Sequence, residues 1–451
     1  MSSGLIVISY KIELMTQEWI AEFSTVSEQE WKAQLLKELK GDESKLVVYN
    51  KIEEISYSTF HYPGENSLDS KTSTVLPIQR GFIKSSNKWR NGIQLSTKNE
   101  LETNKKALNA LMAGCDFIHF VSNGKTNWNV VLTEIGLEYI HTTFTIEDGS
   151  DLLDLIKVIG HDNLSFCSFD LTQKVIQDNE IKKLIKTIQI PVIQIDGFSI
   201  NQCGSNAIQE LSFVVENAHS ALVNLMNLGL SIDEAAACIH FRMGIGSSYL
   251  IEVAKFRAIK ILWANIVKAY NPMHNCSLNC QITAEVGWVN KSLKDPHTNL
   301  LRQTTEAISA ILGGIDRLII HPYDACSINS ASEQAQRLAL NISNLLNEES
   351  YLSSVTDVLG GSYAIELLTI EIAEKGWELF KRMDVLSSES KEVGWKELIG
   401  EKVNQRLEYL RNNEITLIGI NKFLNPEKID NSWLAPEIFM GMSYLRLETE
   451  F

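Results

Sequence analysis

Nowhere in the 451 residues does an uninterrupted apolar run approach the roughly 18 residues that a membrane-spanning helix needs. Met1–Leu14 lacks a basic n-region and a small-residue cleavage site, so no secretory leader is expected there. TQEWIAEFSTVS follows Met15; either Met15 is the natural start or the first residues are disordered. Basic residues are in deficit, with 41 Lys and Arg against 56 Asp and Glu and a net charge of −15. Nucleic acid and anionic membrane are poor partners for such a chain, and a polyphosphate such as coenzyme A would need a local basic patch. The chain also lacks a disulfide framework. Its seven cysteines, at 115, 167, 203, 238, 276, 280 and 326, are odd in number and scattered. They read as reduced, buried thiols of a cytoplasmic protein. Cys276 and Cys280 have no second Cys or His pair at zinc spacing, so no metal is expected. Gly244-Ile245-Gly246 before Tyr249 stops short of a dinucleotide-binding G-x-G-x-x-G. No self-similar period points to a solenoid.

What is present is ordinary soluble-protein composition, 44% hydrophobic and 22% charged. The length suits one large domain with additions, or two to three domains. Ser27-Glu28-Gln29-Glu30 is a capping-box signature; Trp31, Leu35, Leu36 and Leu39 follow on one helical face and Gly41 stops it. Residues 44–86 are polar and Pro-interrupted, like an arm lying on something else. From residue 90 a rhythm sets in. Strand-like runs fall at Gly92–Ser96, Phe117–Val121, Leu137–Phe144, Leu164–Phe169, Ile190–Ile195, Ile239–Met243, Cys280–Glu285 and Leu318–His321. Helical patterns separate most of them, including Asn104–Ala113, Asn206–Leu228, Ser247–Ala269 and Gln303–Leu312. Eight strands alternating with helices predict an α/β (β/α)8 TIM barrel over an open doubly wound sheet. Gln334–Asn347 and two long helices across residues 363–411 follow, then a strand-like Ile415–Phe423 and an irregular end. The expected division is an N-terminal helix and arm at 1–86, a barrel at 87–345 and a helical extension at 346–451.

The stretch FRMGIGSSYLIEVAKFRAIKILWANIVKAY, Phe241–Tyr270, organises the chain. It reads as a strand end, a Gly turn and an amphipathic helix with Leu250, Ile251, Ala254, Ala258, Ile261 and Leu262 on its apolar face. It resembles the methylmalonyl-CoA mutase family, whose helix has the form E-V/I-A-K-L/F-R-A-x-x-x-L-W-A; Glu252, Ala254, Lys255, Phe256, Arg257, Ala258, Leu262, Trp263 and Ala264 reproduce it. Arg302–Gly314 resembles the family helix before the eighth strand. Arg337–Leu368 resembles its R-x-x-x-N…V-x-D-x-x-G-G-S-Y-x-x-E-x-L-T block, and Glu414–Phe423 its G-V/I-N-K-F/Y element. The match runs from about residue 90 to 425, with a weaker small-subunit likeness in the N-terminal helix. The resemblance implies a barrel that holds acyl-CoA along its axis, with adenosylcobalamin on a separate C-terminal domain.

The departures from that pattern strip the chemistry. No cobalamin domain is recognised. The nearest string to its cobalt-ligating D-x-H-x-x-G is Asp295-Pro296-His297-Thr298-Asn299-Leu300, which lacks the Gly. The family's G-Y-H after strand five, whose His hydrogen-bonds the thioester carbonyl, reads Gly197-Phe198-Ser199. Phe198 loses the hydroxyl and Ser199 is too short to reach where an imidazole would. The family's Q-T-S-G-W appears as Ala284-Glu285-Val286-Gly287-Trp288. Its H-T-N-A-x-D-E appears as Ile319-Ile320-His321-Pro322-Tyr323-Asp324-Ala325. Strand one reads Trp89-Arg90-Asn91-Gly92-Ile93 instead of Y-A-G-F-S.

His119, His240 and His321 fall at strand ends and read as packing or hydrogen-bonding groups. Asp233-Glu234 opens a short helix capped by Ser231. Gly360-Gly361-Ser362-Tyr363 reads as a backbone turn, with partner contact by Tyr363 left open. By resemblance, then, the expected protein is the non-catalytic small subunit of a heterodimeric mutase, without catalytic, cofactor or metal residues of its own. The large partner would carry adenosylcobalamin and interconvert methylmalonyl-CoA and succinyl-CoA. Trp19–Phe23 and Trp31–Leu39 are the expected anchors on that partner. Two alternatives stay open: a catalytic acyl-CoA mutase barrel served by a separate cobalamin-binding protein, and a homodimeric acyl-CoA-binding protein.

Overall fold

Ser27 and Glu30 start the first helix as their spacing predicts: Ser27 Oγ accepts from Glu30 N at 3.3 Å, and the Glu30 carboxylate accepts from Ser27 N at 2.9 Å. The computed structural model describes residues 26–61, 86–122, 124–176, 183, 185, 190–328, 332–426 and 432–450. Two compact units are distinguished, Met1–Ser67 and Leu68–Phe451. In the first, helix α1 (Glu28–Glu38) precedes an antiparallel hairpin of β1 (Val47–Asn50) and β2 (Ile55–Ser58). Trp31 stands edge-on to Phe60, with ring centroids 6.4 Å apart. No residue of α1 is fully buried, so its apolar face is only half covered. Trp19–Phe23, Met15 and much of the expected arm lie outside the described residues.

The second unit contains eight parallel strands: β3 (Arg90–Ser96), β4 (Phe117–Val121), β5 (His141–Ile146), β6 (Cys167–Leu171), β7 (Ile193–Asp196), β8 (Ile239–Ile245), β9 (Ile282–Val286) and β10 (Arg317–Ile320). Their order in the sheet is β6-β5-β4-β3-β10-β9-β8-β7. The two ends meet: Phe169 N donates to Pro191 O at 2.8 Å and Leu171 N to Val192 O at 3.1 Å. The sheet therefore closes as the TIM barrel that the strand count predicts. Its helices are α2 (Glu100–Met112), α3 (Trp128–Val131), α4 (Gly149–Ile159), α5 (Gln173–Ile176), α6 (Gly197–Gln202), α7 (Ala207–Asn227), α8 (Ile232–Ala237), α9 (Tyr249–Ala269), α10 (Thr298–Gly313) and α11 (Glu333–Glu348). Then come α12 (Tyr363–Asp384), α13 (Ser388–Arg411) and a short hairpin of β11 (Ile438–Phe439) and β12 (Met442–Ser443). Among the described residues no helix is long and apolar enough to cross a membrane.

The apolar core lies between strands and helices. Phe120, Phe144 and Phe169 stack across β4, β5 and β6 at 5.5 and 5.8 Å, with Trp128 edge-on. Phe241 meets Trp263 of α9 at 5.3 Å. The opposite face of the strands is polar. The register aligns Gln94 with His119, His119 with Thr143 and Thr143 with Ser168. It likewise aligns Gln194 with His240 and Asp196 with Arg242. Branched apolar side chains usually fill a barrel of this size; here hydrogen-bonding groups do much of that work.

Helix α9 departs from the amphipathic reading. Every residue from Ile251 to Lys260 is buried, whereas Leu250 is exposed. The charges of its signature are satisfied internally, because a buried ionic group needs a partner. Lys255 Nζ lies 2.7 Å from Glu210 on α7 and 2.6 Å from Glu252, and donates to Gly244 O at 2.9 Å. Arg257 bonds Asp357 and, at 2.6 Å, Glu366 of α12. The E-V-A-K-F-R-A helix and the V-T-D-V-L-G-G-S-Y block are thus two halves of one buried ionic contact. Gly361, at φ +82°, donates its N–H to the same Glu366 at 3.0 Å, which fits the turn expected there.

Some expectations need correction. Ile415–Phe423 is no strand; among the described residues its one ladder contact is a bridge between Ile418 and Lys422. Gly419 and Phe423 take positive φ, and Asn421 folds back to bond Leu417 N at 2.8 Å. Residues 137–139 and 161–166 are 3-10 turns that delay β5 and β6. Cys276 is exposed, unlike the other six cysteines. His240 is the second residue of β8, at its N-terminal end rather than at the mouth.

Candidate functional site

Active sites of such barrels form at the C-terminal ends of the strands. Here that end is occupied by the chain's own side chains. Arg242 of β8 is the centre. Its Nε and Nη2 donate to the two Glu285 oxygens at 2.6 and 2.8 Å. Nη2 also reaches Gln94 Oε1 at 3.2 Å, and Nη1 reaches Asp196 at 3.5 Å. The guanidinium stands over the Phe198 ring, 4.3 Å from its centroid. His321 Nε2 shares Glu285 Oε1 at 2.5 Å, and its ring lies 4.3 Å from that of Trp288. Burial alone would raise the Glu285 carboxyl, but Arg242 and His321 hold it well below the usual carboxylate range.

Phe198 and Ser199 lie where the family comparison put them, just past β7. Asp196 caps α6, accepting from Ser199 N at 3.1 Å and from Ser199 Oγ at 2.6 Å. A Cβ at Gly197 would come within 2.4 Å of Val214 Cγ2, so glycine lets this turn pack against α7. Ser199 has no basic partner: its Oγ donates to Asp196 and accepts from Tyr444 OH at 2.7 Å. A serine in that setting is a hydrogen-bonding post, not an activated nucleophile.

Tyr444 belongs to a C-terminal strap across the mouth. Met440 and Gly441, both at positive φ, turn the hairpin of β11 and β12. Leu445 N donates to Gln202 O at 2.7 Å, and Leu447 N to Val289 O at 3.1 Å. Glu448 accepts from Leu293 N at 2.8 Å and from Trp433 Nε1 at 3.1 Å. Phe439, Met440, Met442 and Tyr444 pack on the core of Ile200, Cys203, Phe213 and Trp395. Burial, with the Asp196 charge, pushes the Tyr444 phenol up.

The remaining mouth groups are acidic or neutral. Thr145 Oγ1 donates to Asp170 at 3.2 Å and contacts His119 Nε2 at 2.8 Å. Burial and the Asp196 charge raise Asp170 to about 6. Burial and the Arg242 charge lower His119 to about 3, which keeps it neutral. Three carboxyl groups therefore surround one guanidinium that is already engaged on several sides. Gln94, Asp170, Asp196, Arg242 and Tyr444 escaped the sequence reading. Their signal was the polar alternation of HTTFTI, CSFDL, IQID and IHFRMGI, and the FMGM turn near the end.

The string considered for cobalt ligation does not suit that role. A ligating histidine is normally oriented by a carboxylate or carbonyl. Asp295 instead accepts from Thr298 Oγ1 at 2.5 Å, and exposed His297 heads α10 with its ring 5.3 Å from Tyr323. Among the described residues no group of three or more His, Cys, Asp or Glu side chains is placed to hold a metal ion.

Known proteins share this framework. The family model described as methylmalonyl-CoA mutase matches residues 174–437. The methylmalonyl-CoA mutase small subunit of Porphyromonas gingivalis is 31% identical over 397 residues, 81% of this chain and 64% of that protein. The methylmalonyl-CoA mutase of Rhizobium meliloti is 31% identical over 243 residues, 53% of this chain and 34% of its own. The chain thus spans less than two thirds of the length of these relatives. A dihydropteroate synthase structure from Thermus thermophilus aligns at 11% identity over 58% of this chain and 95% of its own, with a TM-score of 0.31, a likeness that carries no argument. With the closed barrel, the paired signature blocks and a family match over more than half its length, the chain belongs to the methylmalonyl-CoA mutase family.

Proposed function

We propose that this chain is the non-catalytic small subunit of an adenosylcobalamin-dependent methylmalonyl-CoA mutase, working in the cytoplasm. It docks on a larger chain that carries cobalamin and the acyl-CoA site, and supports that chain structurally. The observation that carries the reading is Arg242. An acyl-CoA substrate with a free carboxylate needs an unengaged cation and an open mouth. Here the guanidinium is bonded to Glu285, Asp196 and Gln94, lies on Phe198, and sits under a strap fixed by Tyr444. Asp170 and Asp196 would further repel an anion. The small-subunit name of the Porphyromonas gingivalis relative supports the same assignment.

Tagged chain expressed with a full-length mutase chain tests it. The expected result is a stoichiometric complex that isomerises methylmalonyl-CoA, while this chain alone with adenosylcobalamin shows no turnover. Turnover by this chain with a separate cobalamin-binding protein, or isolation only as a homodimer, overturns the proposal.

A further inference from the structure

The barrel mouth is furnished for a carboxylate, and the chain supplies one itself. Three nitrogen donors converge on Glu285. Arg242 Nε lies 2.6 Å from Oε2, Arg242 Nη2 2.8 Å from Oε1, and His321 Nε2 2.5 Å from the same Oε1. A carboxylate only accepts, so the His321 nitrogen carries the proton. The two guanidinium bonds form the parallel fork with which arginine recognises carboxylates. The donors are themselves held in place. Phe198 lies 4.3 Å from the guanidinium, Gln94 Oε1 accepts from Nη2 at 3.2 Å, and the His321 ring rests against Trp288.

Little water reaches these groups: the side chains of Arg242, His321 and Glu285 are 11%, 13% and 0% exposed. Asp196 does not duplicate Glu285. It meets the other guanidinium nitrogen, Nη1, at 3.5 Å, and is engaged by the N–H and hydroxyl of Ser199. Without Glu285, Asp196 would still balance part of the Arg242 charge. The three donors that faced Glu285 would nevertheless lose their shared acceptor, which is costly where water is scarce.

We infer that Arg242 and His321 form a carboxylate-binding site whose resident ligand is the chain's own Glu285. Glu285→Ala removes the methylene and carboxylate beyond Cβ, so the vacated site takes a free monocarboxylate of acetate size. Glu285→Gly removes Cβ as well and makes room for propionate. Truncation cavities in well-packed interiors accept ligands that match the missing group. Such self-ligation rests on the proposed reading of a mouth closed by its own side chains; it is tested without a mutase partner, so either can fail alone.

Thermal melts of the full chain at neutral pH test it, with sodium acetate or sodium propionate replacing sodium chloride at constant ionic strength. The melting temperature of Glu285→Ala should rise saturably, by about 2 °C at tenfold excess over Kd. Acetate should act at lower concentration than propionate in this variant, and the order should reverse in Glu285→Gly. The native chain and the double variant Arg242→Met with Glu285→Ala should not respond, and neutral acetamide should be inert. Four outcomes overturn the site: no carboxylate response in either truncated variant, an equal response in the native chain, an equal response without Arg242, or a preference that ignores the deleted group. If Glu285→Ala is unfolded in chloride, refolding in acetate, read by circular dichroism, supports the site, and failure to refold there overturns it.

Discussion

Arg242 and Glu285, on neighbouring strands, share two parallel hydrogen bonds, and the Glu285 side chain is wholly shielded from water. Such a pair is close to neutral in net worth, but either half alone is expensive. Glu285→Ala should therefore destabilise the barrel by about 3–5 kcal/mol, seen as a lower urea midpoint with unchanged m-value. The double replacement Arg242→Met with Glu285→Leu should recover most of that loss. A single variant as stable as the native chain would show that the pair is not desolvated as the geometry requires.

Acid should weaken this fold sooner than its carboxylates alone would suggest. His119 and His240 are each lowered to about 3, chiefly by burial, against an ordinary value near 6.5. Below about pH 6.5 the unfolded chain takes up these protons and the folded chain does not. Stability is therefore lost as pH falls toward 3, by about 1.4 kcal/mol per pH unit for each group. Asp170, raised to about 6, binds its proton first in the folded state and offsets part of the loss between roughly pH 6 and 4. His240→Gln keeps a donor for Phe169 O and removes one titrating site. It should flatten the stability slope between pH 6 and 4 by about one proton, measured by urea titrations across that range.

Much of this architecture was legible because it is written in local periodicity and in long signature blocks. The strand at Phe117–Val121 and the helices around Asn206–Leu228 and Gln334–Asn347 follow directly from alternation, caps and stops. The ionic partners Arg257 and Glu366 lie more than one hundred residues apart, and only the fold brings them together. The same is true of Tyr444 and Ser199. Ile415–Phe423 misled because β-branched residues favour strands, while Gly419 and the Asn421 side chain impose a turn. The departures from the family's motif at Phe198 and Ser199, at the barrel mouth, were legible in the sequence. They could not show that Arg242 and the C-terminal strap fill it, since long-range polar contacts leave no period in a sequence.

The strap should loosen when its one hydroxyl anchor is removed. Tyr444→Phe keeps the ring against Phe198 and deletes the 2.7 Å bond to Ser199. Ser199 retains Asp196 as acceptor, so no buried donor is stranded. The expected cost is about 1 kcal/mol. Amide exchange at Leu445 and Leu447, whose N–H groups fasten the strap to Gln202 and Val289, should accelerate while β8 and β9 stay protected. Equal acceleration throughout the barrel would mean that the strap does not open as a separate unit.

Ser199→His places an imidazole where the family's carbonyl-polarising histidine is expected, and tests whether one residue withholds activity. The ring would have to displace the Tyr444 hydroxyl and would meet Asp196 rather than a thioester. Arg242 would stay bound to Glu285, and Asp170 and Asp196 would still repel an acyl-CoA carboxylate. The variant, assayed alone with adenosylcobalamin and methylmalonyl-CoA, should therefore show no isomerisation, and its strap should exchange faster than that of the native chain. In complex with a full-length mutase chain it should leave turnover within about twofold, because the reacting groups are proposed to belong to the partner. Measurable turnover by the isolated variant would locate the missing chemistry in a single side chain and return the barrel mouth to the status of an active site.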